Sequence, residues 1–167
     1  MKLLIIRHGP AGDSDTWEAE GRDDRLRPLT SEGKKQMRKA AAGLPALVRD
    51  VQLLATSPLT RAVQTAEIVA TEYGCEIVPL EALAPDRDPE DAVRWLRKQE
   101  PDLTVGLVGH EPHLSSLVGY LLTGKRASFL DLKKGGAGLL EMTAPLQPGG
   151  GALEWLLTPR ALRRLGE

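Results

Sequence analysis

Short apolar runs alternate with segments of helical spacing along most of the chain. The runs at residues 3–6, 51–57, 76–80 and 103–109 predict strands. Residues 3–6 are continuously apolar, which is typical of a central parallel strand that is covered on both faces. The alternation of strands with helices predicts an α/β fold, a three-layer α/β/α sandwich around a mostly parallel central sheet.

Residues typical of helix starts and ends indicate the bounds of the helices between these strands. Ser57 is the predicted N-cap of the second helix, with Pro58 at its first position, and Gly74 ends that helix. Thr30 and Asp88 are the predicted N-caps of the first and third. The four predicted helices cover residues 31–43, 58–73, 88–99 and 112–122.

Two parts of the chain lack this alternation. Residues 9–29 have no apolar periodicity and are rich in Gly, Asp, Glu and Arg, so we predict a long loop, and such loops are usually functional or mobile. After Lys125, residues 127–132, 137–142 and 152–158 are strand candidates at the edge of the sheet, some of them antiparallel. A short helix or tail is predicted to follow them.

The composition is that of a globular protein. At 167 residues the chain is long enough for one sizeable core, so we expect a single domain over residues 1–167. The net charge of −1 gives no general attraction to nucleic acid, and no apolar run approaches the roughly 20 residues of a membrane span. Cys75 is the only cysteine and no signal peptide is visible, so we expect a cytoplasmic protein, and a monomer.

Cationic and imidazole side chains follow the ends of three predicted strands. Arg7 and His8 leave the first, Ser57 and Arg61 follow the second, and His110 leaves the fourth. In an open α/β sheet, ligands bind outside the carboxyl ends of the strands, where these groups would meet. Because the start of a helix also favours an anion, the sequence predicts a phosphate pocket.

Four segments, in this order, resemble the histidine phosphatase superfamily, whose fold is the phosphoglycerate mutase-like one. The apolar strand followed by R-H-G carries the first motif. The other three are "RPLTSEG" (27–33), "SPLTRAVQTAE" (57–67) and "VGHEPHLSSLV" (108–118). Together with the short chain, they are most similar to SixA-type protein-phosphohistidine phosphatases.

The resemblance implies that His8 is the nucleophile, a neutral imidazole that becomes transiently phosphorylated. Arg7 and Arg61 would hold the phosphoryl oxygens, and His110 would stabilise their charge if it is protonated in that anionic environment. Gly9 would permit a tight turn and close approach of the phosphate.

The resemblance leaves two roles open near this pocket. Ser57 would add a hydrogen bond to the phosphate, although a purely structural cap explains it equally well. Related enzymes that act on alcohol phosphates carry a general acid after the third strand. In this sequence Ala82 occupies the position compared with that acid, Glu81 is the nearest carboxylate, and Asp86 lies further along. Glu81 is therefore a tentative acid.

The weak case for an acid bears on the substrate. An imidazole, with a pKa of about 6.5, leaves readily near neutral pH, whereas an alkoxide does not. We therefore expect a phosphohistidine on a protein partner as substrate, reached through an open pocket. The alternatives are a small phosphomonoester, with Glu81 as acid, and a non-catalytic phosphate-binding adaptor.

Other features favour simpler interpretations. His113, inside a predicted helix, is expected to be an ordinary partly buried or surface residue. The D-x-D at residues 13–15 is typical of aspartate-nucleophile phosphatases, but it lies in a polar segment and does not follow an apolar strand. There is no nucleotide-binding P-loop motif and no clustering of histidine or cysteine typical of a metal site, so we expect no cofactor and no metal.

Overall fold

The computed structural model describes residues 1–167 and contains one six-stranded sheet. The spatial order of the strands is β3-β2-β4-β1-β5-β6. The pairs among β1 to β4 are parallel, whereas β5 is antiparallel to β1 and β6 to β5. The strands are β1 (Lys2–Arg7), β2 (Leu53–Thr56), β3 (Glu76–Pro79), β4 (Thr104–Gly109), β5 (Ala137–Met142) and β6 (Gly151–Leu157).

Six helices accompany the sheet, and none of them combines the length and apolar character that a membrane crossing requires. Three single 3₁₀ turns, at Asp24–Leu26, Leu44–Ala46 and Glu81–Leu83, complete the regular structure. The helices are α1 (Ser14–Ala19), α2 (Ser31–Gly43), α3 (Thr60–Tyr73), α4 (Pro89–Leu96), α5 (His113–Thr123) and α6 (Pro159–Leu165).

Strand β1 contributes to both apolar layers of the core. Leu3 and Ile5 pack in a cluster with α4 and α5, and Leu4 and Ile6 pack in a second cluster with α2, α3 and α6. Each cluster contains 16 buried residues. This arrangement confirms the predicted α/β/α sandwich, and it explains why residues 3–6 are apolar without alternation.

The sheet register aligns the ends of three parallel strands. Ile6 and Thr56 are both paired with Val108 in the central strand β4. The ladder continues one step further, because the His8 N–H donates to the Gly109 carbonyl at 3.0 Å and the Ser57 N–H donates to the Val108 carbonyl at 2.9 Å. The side chains that follow these strands therefore leave the sheet at the same edge.

Two sequence predictions about residues 9–29 and 127–132 were wrong. The first segment is not a continuous loop: it contains α1, capped by Asp13, and a 3₁₀ turn capped by Asp23, and elements this short leave no apolar period to detect. Residues 127–132 form no strand, and the edges of the sheet are β3 and β6.

Helix α3 begins later than the sequence predicts. Its N-cap is Leu59, and Pro58 lies outside it. Because the Ser57 N–H still takes part in the ladder to β4, residue 57 continues the strand and is not the helix cap. Thr30 and Asp88 do cap their helices, and Gly74 ends α3 in the left-handed conformation, with φ of 62°.

A close backbone contact fixes the chain just after His8. A Cβ atom on Gly33, in the first turn of α2, would lie 2.0 Å from the Pro10 carbonyl oxygen. We expect Gly33→Ala to lower the free energy of unfolding by about 1–3 kcal/mol, because neither backbone segment can yield without breaking other contacts. Gly12→Ala is the control, since a Cβ there meets nothing within 4 Å. Equal stability of the two variants in urea denaturation would contradict this prediction.

Candidate active site

The structure brings four predicted site residues together at the carboxyl edge of the sheet. Arg7 is the last residue of β1, His8 follows it, His110 follows β4, and Arg61 lies in the first turn of α3. They line a cleft of about 570 Å³. The centroids of the two imidazole rings are 5.1 Å apart. A larger cleft, of about 740 Å³ and lined largely by aliphatic side chains, contains none of these residues.

His8 is held as a neutral imidazole with a defined tautomer. Its Nδ1 lies 2.7 Å from the Gly9 carbonyl oxygen, and because a carbonyl only accepts, Nδ1 carries the proton and Nε2 keeps its lone pair. Burial, together with the charges of Arg61 and Arg7, lowers the pKa of His8 to about 3, against the opposing effect of that hydrogen bond. At neutral pH His8 therefore has an uncharged nitrogen that can act as a nucleophile.

Gly9 acts through its backbone, but differently from the prediction. Its carbonyl orients His8, and its N–H donates to the Thr65 hydroxyl at 3.1 Å. Gly9 does not line the cleft and does not have a positive φ. A Cβ there would meet Met37 and Leu29 at 3.4–3.5 Å, an ordinary contact, so neither close approach of phosphate nor a special turn explains this glycine.

Both arginines are held at the Nη end of the guanidinium group. Arg7 Nη1 donates to the Leu132 carbonyl at 2.7 Å. Arg61 donates from Nη1 to the Asp24 carbonyl at 2.9 Å and from Nη2 to the Asp24 carboxylate at 3.1 Å. The Nε atoms of both arginines are buried and have no protein partner. Each guanidinium thus keeps a donor edge for an anion.

His110 is also neutral, contrary to the condition set for its predicted role. Burial lowers its pKa to about 2, and the nearby His8 and Arg61 act in the same direction. Its Nε2 lies 2.7 Å from the Ser57 hydroxyl, and its Nδ1 is buried without a partner. Ser57 is fully buried and does not line the cleft, because its hydroxyl is directed at His110. Its hydroxyl therefore contacts His110 and does not reach the cleft.

Asp24 is a site residue that the sequence did not indicate. Its carboxylate accepts from Arg27 Nε at 2.7 Å and from Arg61, so it joins two cations in the cleft wall. Burial would raise the pKa of Asp24, but the hydrogen bond from Arg27 and the charge of Arg61 outweigh it and lower the pKa below its usual value. The residue lies in an irregular polar stretch with many acids and arginines, so no pattern distinguished it.

Glu81, the tentative acid, lies outside the cleft wall. Its carboxylate is half exposed and pairs with Arg25 at 3.3 Å and with Arg87 at 3.5 Å. Pro85 is the residue of this segment that reaches the cleft. The structure therefore places Glu81 in a surface ion-pair cluster and outside the cleft that His8 lines.

Three further residues near the cleft complete the description. Glu111 lines the cleft and caps α5, where its carboxylate accepts from the backbone N–H of Ser115 at 2.9 Å and from the Ser115 hydroxyl. Lys134 lines the cleft beside Arg7. His113 is only 3% exposed and lies outside the lining, so it is more buried than predicted. No group of three His, Cys, Asp or Glu side chains could hold a metal ion.

Comparison with known proteins identifies the family. Residues 3–84 match the family model of the histidine phosphatase superfamily (branch 1). An uncharacterized protein of Picosynechococcus sp. (strain PCC 7002) is 37% identical over 139 residues, which cover 81% of this chain and 82% of that protein. The chain belongs to the histidine phosphatase superfamily.

Solved structures share the fold of this histidine phosphatase. The protein histidine phosphatase SixA, complexed with tungstate, has a TM-score of 0.81 at 24% identity, covering 97% of this chain and 99% of that chain. A SixA protein from Nakamurella multipartitia has a TM-score of 0.77 at 21% identity, covering 95% of each chain. A phosphoserine phosphatase variant from Entamoeba histolytica, in complex with phosphoserine, has a TM-score of 0.70 at 16% identity, covering 95% and 98%.

Family membership makes this chain a phosphatase, and the structure adds a fourth site residue, His110, that the family model does not cover. The matched residues 3–84 include Arg7, His8 and Arg61, whereas His110 lies beyond them. Parallel pairing of β4 with both β1 and β2 brings His110 to the other three.

We expect His8 and His110 to remain uncharged from pH 7.5 to pH 5, because burial opposes their protonation. The unfolded chain binds these protons below about pH 6.5, whereas native His8 binds one only near pH 3, so the free energy of unfolding falls as pH decreases between these values. Histidine Cε1–H chemical shifts, assigned with His8→Asn and His110→Asn, measure the titrations. Titration of either ring near pH 6.5 would contradict the expectation.

Proposed function

We propose that this histidine phosphatase hydrolyses phosphohistidine on a protein partner through a phosphorylated His8 intermediate. One observation carries the proposal. Two buried donors without a protein partner, the Nε atoms of Arg7 and Arg61, and the buried, partnerless Nδ1 of His110 accompany a neutral imidazole with a free lone pair. Buried donors are nearly always satisfied, so this set supports a site for a tetrahedral anion beside a nucleophilic nitrogen.

The reaction has two displacements at phosphorus. In the first, the lone pair of His8 Nε2 attacks in line, an N–P bond forms, and the bond to the substrate imidazole breaks; that ring carries a proton on its other nitrogen, so it takes the bonding pair and leaves as neutral imidazole. In the second, water attacks phosphorus, His8 leaves with the bonding pair, and inorganic phosphate is released. Arg7 and Arg61 hold the phosphoryl oxygens in both steps.

The leaving group decides which substrate the site suits. The cleft wall includes the carboxylates of Asp13, Asp24 and Glu111. The first caps α1 by accepting from the Thr16 N–H, the second is bound by two arginines, and the third is bound by the start of α5. None of the three is placed as a free proton donor. An imidazole departs without strong acid assistance, because its pKa is about 6.5. The similarity in fold to SixA, which is described as a protein histidine phosphatase, supports the same choice.

A small phosphomonoester is the second candidate substrate, and it is favoured by one observation. A phosphoserine phosphatase has the same fold, so the architecture accommodates an alcohol leaving group. Here that chemistry would require Glu81 to leave Arg25 and Arg87. The adaptor alternative has less support, because the nucleophile His8 is present in its reactive tautomer.

We expect His8→Asn to lower phosphate release from a histidine-phosphorylated phosphocarrier protein by at least about 1,000-fold, as loss of a nucleophile does in other enzymes. Rapid quenching of the wild type with radiolabelled substrate should trap label on His8, in an acid-labile and base-stable form. Lys35→Ala, on the exposed face of α2, is the control. Label of equal amount on His8→Asn would overturn the proposal.

We expect Glu81→Gln to change kcat/KM by less than about twofold on the phosphocarrier and on an aryl phosphate, because its carboxylate pairs with surface arginines and such pairs contribute little. The same variant is assayed on a panel of sugar phosphates, whose leaving groups need a proton. A loss of tenfold or more confined to the sugar phosphates would favour the small-substrate function instead.

A further inference from the structure

The buried hydroxyl of Ser57 has a contact that the phosphatase chemistry above does not use. Its Oγ lies 2.7 Å from His110 Nε2 and 3.3 Å from the backbone nitrogen of Leu59. The residue is fully buried, and these two atoms are its only side-chain hydrogen-bond partners. Ser57 therefore contacts the site only through His110.

The single proton of this hydroxyl settles the direction of both hydrogen bonds. The Leu59 N–H can only donate, so Ser57 Oγ accepts from it. The hydroxyl proton then has one acceptor within reach, the Nε2 atom of His110. In the free protein each tautomer leaves one buried proton without an acceptor, on Nδ1 or on the Ser57 hydroxyl, but the Nε2–H tautomer also leaves the buried Nδ1 lone pair without a donor.

We propose that Ser57 is a positioning residue that fixes the tautomer of His110, so that Nδ1 carries the proton and donates it in a hydrogen bond to a phosphoryl oxygen. The proposal rests on the proposed function, since it assigns the third partnerless nitrogen, His110 Nδ1, to the same anion. In this proposal His110 needs no positive charge. The neutral ring can donate from Nδ1 because its Nε2 accepts from the Ser57 hydroxyl. The opposite tautomer would direct a lone pair at the phosphoryl oxygen and repel it.

This assignment agrees with the surroundings of His110. The ring is 2% exposed, and two arginines and a second imidazole lie around it, so a proton on both nitrogens is disfavoured. The titratable groups that lower its pKa are His8, Arg61, His113 and Arg7. The carboxylates of the cleft wall, Asp13, Asp24 and Glu111, accept from Thr16, from Arg27 and Arg61, and from Ser115, and none is hydrogen-bonded to His110.

The direct test is the tautomer of His110 in the free protein. Long-range ¹H–¹⁵N spectra at pH 7 distinguish an Nδ1–H from an Nε2–H imidazole by the nitrogen chemical shifts. We expect the Nδ1–H pattern for His110 in the wild type and in Ser57→Thr, which keeps the hydroxyl. Ser57→Ala should give the Nε2–H pattern or a mixture of the two. An Nε2–H pattern in the wild type would overturn the proposal.

A double-mutant cycle separates positioning from a direct or merely structural role. On an aryl phosphate, we expect Ser57→Ala to lower kcat by about 10–100-fold with little change in KM, because loss of a preorganised donor costs at most about 10²–10³-fold. In a His110→Ala background, the same change should cost less than about twofold. An equal cost in both backgrounds would show that Ser57 acts independently of His110, and would overturn the proposal.

The two proposals fail in different ways. If the wild type has the Nδ1–H tautomer but releases no phosphate in a His8-dependent manner, the proposed function is wrong. If hydrolysis depends on His8 but the tautomer is Nε2–H, the role of Ser57 is wrong. The tautomer is measured without substrate, so neither result depends on the identity of the physiological partner.

Discussion

The pairing of β4 with β1 on one side and β2 on the other is the constraint on which the site depends. Val108 is opposite both Ile6 and Thr56, and the two backbone hydrogen bonds beyond this row hold Ser57 one residue past Thr56 and His8 two residues past Ile6. A change of one residue in either register would turn the following side chains to the other face of the sheet. A shift of β1 by one residue would also move the charged Lys2 or Arg7 into its buried span, so the core opposes such a change.

Helix α3 then joins the surrounding segments to that edge. Arg61 holds Asp24, the Gln64 side chain accepts from the Leu29 N–H at 2.9 Å, and the Thr65 hydroxyl accepts from Gly9 while it donates to the Arg61 carbonyl at 2.8 Å. Three neighbouring positions of the segment "SPLTRAVQTAE" thus each hold a different part of the site. The polar residues of this segment therefore hold neighbouring segments in place as well as supplying Arg61 to the anion site.

The sequence carries more information on the scaffold than on the function of individual polar groups. Strands such as residues 3–6 and caps such as Thr30 were predictable, because apolar period and local hydrogen bonding are properties of adjacent residues. The partner of a side chain depends on segments that are distant in the sequence. Ser57 has the residue type of a helix cap, yet His110 is 53 residues away from it.

The dependence on distant segments also explains why the sequence did not predict the positions of Glu81 and Asp24. Glu81 was selected because it follows the third strand, and nothing local indicates that Arg25 and Arg87 bind it. Asp24 has no distinguishing neighbours, and only the folded chain brings it to Arg61. Ion pairs of this kind are set by the tertiary structure, so a pattern of residue types does not reveal them.

Strand β5 pairs with β1 on the side opposite β4, and it follows β4 and α5 in the sequence. Gly135, just before β5, donates its N–H to the carbonyls of Arg7 and His8 at 3.2 and 3.0 Å, and Leu132 binds Arg7. During synthesis, the amino-terminal motif therefore leaves the ribosome long before the residues that clamp its backbone. A nascent chain stopped after α5 would have both imidazoles but neither Gly135 nor Leu132, so the contacts that hold Arg7 and His8 from this side form only after residue 135 has emerged.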